Sequence, residues 1–196
     1  MPCVIVLNGP SSSGKSTLAA ELQKLWPRPL WVTGLDVLIA GWPESFVTSP
    51  GDDGTPAAPS TVLRIVPGLG PAPSWIPELG EDFLTLTRLA HESWAAIGRA
   101  GVDLVIDHVL IDATLRDQAR SSLATAFWVG VTCDVDELIR RETERGDRYI
   151  GFASGTSAVV HKDMTYDLVV DTTVTPPGLL AQQICDARAH CVSSPV

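Results

Sequence analysis

Five short apolar runs recur along the chain, and all but the second are followed directly by a longer stretch of helical periodicity. Residues 4–8 are β-branched and nearly continuous in hydrophobicity, the pattern of a strand buried on both faces. A helix is predicted over 16–26, stopped by Pro27 and Pro29. A second strand over 30–33 ends at Gly34-Leu35-Asp36, with a short helix toward Trp42. Between 81 and 99 the apolar positions Phe83, Leu86, Ala90, Trp94 and Ile97 keep helical spacing, and Gly101 ends that helix. "DLVIDHV" forms a third strand, residues 112–123 a helix, and "FWVGVTC" a fourth strand. The charged helix "DVDELIRRETERGDR", capped by Asp134, precedes a fifth strand, "YDLVVDTT", and a closing helix opened by proline. This alternation predicts an α/β domain with a five-stranded parallel sheet and helices on both faces.

Residues 43–77 break the rhythm. Proline and glycine crowd "SPGDDGTPAAPS" and "VPGLGPAPSWIP", and the stretch is too long for an ordinary connection. It reads as a Pro/Gly-rich insertion, about 49–78, serving as a lid, a pocket wall or a partly mobile segment within a single domain spanning 1–196. Neither flank is a complete core, so a domain boundary is not expected.

Composition changes this picture little. With 196 residues, 45% of them hydrophobic, the chain can bury a sizeable core. The formal net charge of −9 argues against nucleic acid or anionic membrane as the main partner. No apolar run is long enough to span a bilayer, and the N-terminal residues carry no basic leader. Cys3, Cys133, Cys185 and Cys191 show no CxxC spacing, so neither a zinc site nor a redox pair is indicated. Together these features predict a cytoplasmic protein. Oligomeric state is open, and a homo-oligomer is compatible with the sequence.

Candidate chemistry starts at the first strand–helix junction. Gly9-Pro10-Ser11-Ser12-Ser13-Gly14-Lys15-Ser16, followed by Thr17, satisfies G-x-x-x-x-G-K-[ST] in the required strand-before, helix-after context. The glycines let backbone N–H groups converge on phosphate oxygens, and the helix start adds its positive dipole end. Lys15 would neutralise the β- and γ-phosphates, and the Ser16 hydroxyl would ligate Mg2+. Guanine specificity through Asn/Thr-Lys-x-Asp is absent, since Asn8 is the only asparagine. ATP with Mg2+ is therefore the expected cofactor pair.

Four further groups lie where a parallel sheet would bring them to the same edge. Asp107 ends the third strand after apolar residues, either near the metal or capping a loop. His108 beside it is a candidate acceptor contact or a packed histidine. Asp36, just past the second strand, is placed to orient or deprotonate an alcohol acceptor, or to cap the following helix. In "RRETERGDR", Arg141, Arg145 and Arg148 could fold over the γ-phosphate from a lid at about 140–155, unless the run is a salt-laced solvated face.

The elements "GPSSSGKS", "GLDVLI", "LVIDHV" and "RETERGDR", followed by "VDTT", resemble in order and spacing the chloramphenicol phosphotransferase family, small P-loop kinases related to shikimate and nucleoside kinases. The resemblance implies a P-loop kinase three-layer sandwich with a small lid. It further implies ATP-dependent O-phosphorylation of an antibiotic hydroxyl, with Asp36 as base, Lys15 and lid arginines among Arg141, Arg145 and Arg148, and Asp171, Thr172 and Thr173 on the adenine side. Two departures stand out: His108 occupies the place of a second acid, and 49–77 has no clear counterpart. Trp42, Phe46, Trp75 and Trp94 are candidates to wall an aromatic acceptor, or else core residues. The alternatives are a kinase of another hydroxylated metabolite (a sugar, a nucleoside or another antibiotic) and a nucleotide-binding regulatory protein with little turnover.

Overall fold

In a computed structural model, which describes residues 3–51, 55–69, 73–146 and 149–193, the elements run in the order the periodicity predicts, with additions in the proline-rich region. They are β1 (Val4–Asn8), α1 (Lys15–Leu25), β2 (Leu30–Gly34), α2 (Leu35–Ile39), β3 (Val47–Thr48), β4 (Leu63–Pro67), β5 (Trp75–Leu79), α3 (Glu81–Arg99), β6 (Asp103–His108), α4 (Ala113–Ser122), β7 (Phe127–Thr132), α5 (Val135–Arg145), α6 (Phe152–Ser157), β8 (Leu168–Asp171) and α7 (Pro177–Ser193).

Five strands form one parallel sheet in the order β2-β6-β1-β7-β8. Strand alternation sorts the core into two layers. Ile5 and Leu7 of β1 pack with Leu18 and Leu22 of α1 and with Leu180 and Ile184 of α7. Val6 faces the other way, joining Leu104, Ile106, Phe83, Trp94 and Leu115 from β6, α3 and α4. Central β1 thus delivers its C-terminal turn to the edge where β2 and β6 also end. Gly34 makes that convergence tight: a Cβ there would lie 2.3 Å from the Asp107 backbone oxygen. Close approach of β2 to β6, and not an unusual backbone angle, is what requires glycine.

The proline-rich region holds a second sheet, β3-β4-β5, in which β3 and β4 are parallel and β4 and β5 antiparallel. It packs through Leu63 and Ile65 onto the α3 side of the core. The sequence pattern did not announce it, because Pro67 and Pro77 sit inside its strands and proline and glycine crowd the links between them. Helix α6 was likewise not expected; its Gly-, Ser- and Thr-rich sequence has poor intrinsic helicity. The buried stripe of α3 is Phe83, Thr87, His91, Trp94 and Gly98, so polar Thr87 and His91 replace the predicted Leu86 and Ala90 on the fully buried face.

Candidate active site

The glycine-rich turn lies between β1 and α1 in the orientation its motif demands. Ser12 (φ 61°) and Gly14 (φ 80°) adopt left-handed backbone angles, the alternation that turns N–H groups toward a common centre. A Cβ on Gly9 would sit 2.3 Å from the Val131 backbone oxygen, so the turn also needs glycine to fit under β7. Ser12 Oγ and Ser13 Oγ are buried with no hydrogen-bond partner among the described residues, which suits a site whose acceptor is a bound phosphate. Lys15 is buried; its Nζ donates to the Pro10 carbonyl at 2.8 Å and lies 3.7 Å from Asp107 Oδ1. The Ser16 hydroxyl donates to Asp107 Oδ2 at 2.7 Å. Two hard oxygen donors in contact fit a small divalent cation that also takes phosphate and water oxygens. Among the described residues, no cluster of three or more His, Cys, Asp or Glu could hold a metal unaided.

Three cavities surround this turn. The phosphate cavity, of about 230 Å³, is bounded by residues 11–17, Asp107 and Arg145. A second, of about 310 Å³, is walled by Leu63, Ile65, Leu79, Phe83, Leu115 and Phe152. Asp36 and Ser11 border both. A third, of about 330 Å³, lies on the far side of Gly14 and Thr17, between Arg141 and the 172–177 loop.

The predicted residues divide among these spaces. Lys15, Ser16, Asp36, Asp107 and Arg145 meet at the phosphate cavity. Arg141 instead borders the third cavity, its Nη2 donating to the Thr172 carbonyl at 2.7 Å and its Nε to Glu137 at 2.7 Å. Hydrogen bonds from Arg140 and Arg141 hold the Glu137 carboxyl down at about 2, so the anchor stays charged at neutral pH. Thr172 and Thr173 line the same third cavity, and the Thr172 hydroxyl donates to the Ser13 carbonyl at 2.8 Å. Asp171 lies off the cavity. Its carboxylate accepts from the Thr173 hydroxyl and backbone N–H, which holds its pKa below the usual value, and Thr173 Oγ1 in turn accepts from the Asp134 N–H. Arg148 lies outside the described residues.

Of the aromatics that could have walled an acceptor or filled the core, the tryptophans Trp42 and Trp94 go with the core. Trp94 is buried in the core beneath the sheet, Trp42 packs against that core, and Phe46 is exposed on the turn Glu44–Phe46. None borders the 310 Å³ cavity; Phe83, Tyr149 and Phe152 supply its aromatic walls, and Trp75 touches it only through Tyr149, ring centroids 5.6 Å apart. His108 is fully buried behind Asp107, its Nε2 2.7 Å from His91 Nε2. Burial pushes His91 down to about 4 and, with the nearby charges of His91 and Lys15, pushes His108 well below its ordinary value. The pair is thus neutral, one ring donating to the other. His91 had one signal in the sequence: it falls on the helical face that carries Phe83, Thr87 and Trp94. Thr156, whose Oγ1 accepts from the Ser11 N–H at 3.0 Å, and Glu142 had none.

Comparison with known proteins gives this geometry its context. A model of the family described as chloramphenicol phosphotransferase-like protein matches residues 2–189. The chain belongs to that family. It is 30% identical over 200 residues to "Putative O-phosphotransferase Rv2636" of Mycobacterium tuberculosis, covering 96% of this chain and 83% of the relative. Among solved structures it resembles the Mycobacterium tuberculosis APS kinase in complex with AMPPNP and APS (TM-score 0.64, 15% identity, 96% of this chain and 98% of that one). It also resembles the Acinetobacter baumannii shikimate kinase in complex with shikimate (TM-score 0.61, 15% identity, 99% and 97%). At those identities the likeness is one of fold, the small P-loop kinase fold. This member of the chloramphenicol phosphotransferase-like family is accordingly a phosphotransferase with an alcohol group as acceptor. No helix among the described residues is long and apolar enough to cross a membrane.

Proposed function

We propose that the protein transfers the γ-phosphate of ATP to a hydroxyl of an uncharged small molecule, with chloramphenicol the leading acceptor. The observation that carries this reading is the position of Asp36, on the wall shared by the phosphate cavity and the apolar cavity. A hydroxyl presented from the apolar side would meet the carboxylate on one side and the terminal phosphate on the other. Among the described residues lining the apolar cavity Asp36 is the only charged one, with no Lys, Arg or His beside it. A carboxylate, sulfate or phosphate on the acceptor would find no counter-charge among these described residues and would face Asp36. That supports a neutral acceptor over an anionic one, and it favours a neutral antibiotic over a sugar phosphate or an organic acid.

The roles follow from charge and reach. The backbone N–H groups of Ser12, Gly14, Lys15 and Ser16 and the Lys15 ammonium hold the phosphates. Ser16 and Asp107 would hold Mg2+, which when bound neutralises phosphate charge and helps fix the phosphate chain in line. Asp36 aligns the acceptor O–H and accepts its proton as the new O–P bond forms and the bond to the bridging oxygen of ADP breaks. Arg145 faces the developing charge on the transferred group. The third cavity, between Arg141 and the Thr173–Pro177 loop, is open to a planar base stacking on a guanidinium.

A panel assay tests this reading. ATP, Mg2+ and the protein are incubated with chloramphenicol and other neutral hydroxylated antibiotics, and separately with shikimate and gluconate. Phosphorylation confined to the neutral set is expected. Phosphorylation of the acids alone would overturn the assignment of the apolar cavity as the acceptor site.

A further inference from the structure

We infer that Glu142 is a positioning residue that couples the arginine-bearing helix α5 to the wall of the acceptor cavity; the inference rests on the nucleotide-dependent reading above. Its neighbours on the charged helix are mostly solvent-exposed, but Glu142 itself is 1% exposed. A carboxylate that deeply buried is costly unless its oxygens are satisfied. Here the satisfaction is entirely backbone: one oxygen accepts from the Gly151 N–H at 2.7 Å, the other from the Ala153 N–H at 2.8 Å. The two amides open α6, whose Phe152 and Thr156 line the acceptor cavity. On the same helix as Glu142, Arg141 and Arg145 border the nucleotide cavities. One side chain therefore joins the element that feels the nucleotide to the element that shapes the acceptor site.

The linkage continues past α6. The Trp75 N–H donates to the Gly151 carbonyl at 3.0 Å. A Cβ on Gly155 would fall 2.1 Å from the Trp75 backbone oxygen, so α6 lies against β5 with no room to slide. Strand β5 contributes Pro77 and Leu79 to the acceptor cavity and nothing to the phosphate cavity. A shift of α5 drawn by phosphate would thus reach β5 through Glu142, Gly151 and α6. A parallel route exists from Ser11 to Thr156, and the two can be separated by substitution.

The test uses the full chain and the ATP analogue AMPPNP with Mg2+, reading amide hydrogen exchange in segments 73–79 and 149–157. In the unmodified protein, nucleotide is expected to slow exchange in both segments by about fivefold or more, the lower end of ordinary coupling between sites. In Glu142→Gln, which puts an amide NH2 against a backbone N–H, AMPPNP affinity should stay within about threefold while the slowing over 73–79 disappears. Thr156→Val should retain that slowing. If Glu142→Gln does not fold, Glu142→Asp, which shortens the reach by one methylene, takes its place in the same comparison. Slowing that survives in the Glu142 variant but is lost in Thr156→Val would assign the coupling to the Ser11 route and overturn the inference. So would AMPPNP binding to the unmodified protein without any change in 73–79. Failure of the unmodified protein to bind AMPPNP would overturn the functional reading itself.

Discussion

At the start of α2, the Asp36 carboxylate stands between two cavities of different character, and most of the account's chemistry depends on that placement. Asp36→Asn keeps the shape and removes the proton acceptor. Turnover should fall by about 10²- to 10⁴-fold with nucleotide affinity unchanged, checked by steady-state kinetics beside calorimetric titration of AMPPNP. Lys15→Ala should do the reverse, weakening nucleotide binding at least ~tenfold, as loss of a charge-assisted contact worth about 1.5–3 kcal/mol requires. The His91–His108 pair makes a prediction of another kind. Both rings are held neutral by burial, so their folded pKa values lie below the unfolded value near 6.5. The unfolded chain then binds protons that the folded one refuses. Their contribution is fully present above about pH 6.5 and is lost as pH falls toward about 4, where His91 takes its proton. Urea midpoints should drop across that window, and the His91 ring resonances should not titrate between pH 8 and 5.5; a midpoint near 6.5 would contradict the buried neutral pair.

Among the elements, the five strands of the parallel sheet and the helices between them were readable because each carries its own period: continuous for buried parallel strands, 3.6 for the helices. Asp134 caps α5 as expected, whereas Asp112, read from the sequence as the first helical residue, is the cap of α4. What could not be read was structure made by contact. The sheet β3-β4-β5 and helix α6 have weak local preference and exist because Leu63 and Ile65 find the α3 core and α6 finds β5 and Glu142. That is also why the aromatic walls of the 310 Å³ cavity were missed. Trp94 is conspicuous in the sequence but serves the core, whereas Tyr149 and Phe152 follow the charged helix in a stretch with no periodicity. Gly155→Ala tests the contact directly. Its Cβ would meet the Trp75 backbone, prying α6 from β5, and a destabilisation of about 1–3 kcal/mol with weakened acceptor use and intact AMPPNP binding is expected from denaturation and kinetics.

For the whole molecule, parallel strand order brings residues far apart in sequence to one edge, and that much of the site was legible: a strand end followed by an acid marks the edge wherever it occurs. Asp36 and Asp107 are examples, and their meeting with Ser16 at the phosphate cavity required only the fold. Division of labour between the arginines was not legible, since helical spacing puts Arg141 and Arg145 one turn apart without saying which cavity each faces. Nor was the charge of the acceptor cavity, which is set by residues from 11 to 156 that share no motif. The central claim is that a neutral alcohol in that cavity receives the γ-phosphate under the direction of Asp36. The most direct measurement is mass spectrometry of chloramphenicol after incubation with ATP, Mg2+ and either the unmodified protein or Asp36→Asn. A product heavier by one phosphoryl group is expected with the former and almost none with the latter; an equal yield from both proteins, or an unchanged drug beside rapid acceptor-free ATP hydrolysis, would contradict transfer directed by Asp36.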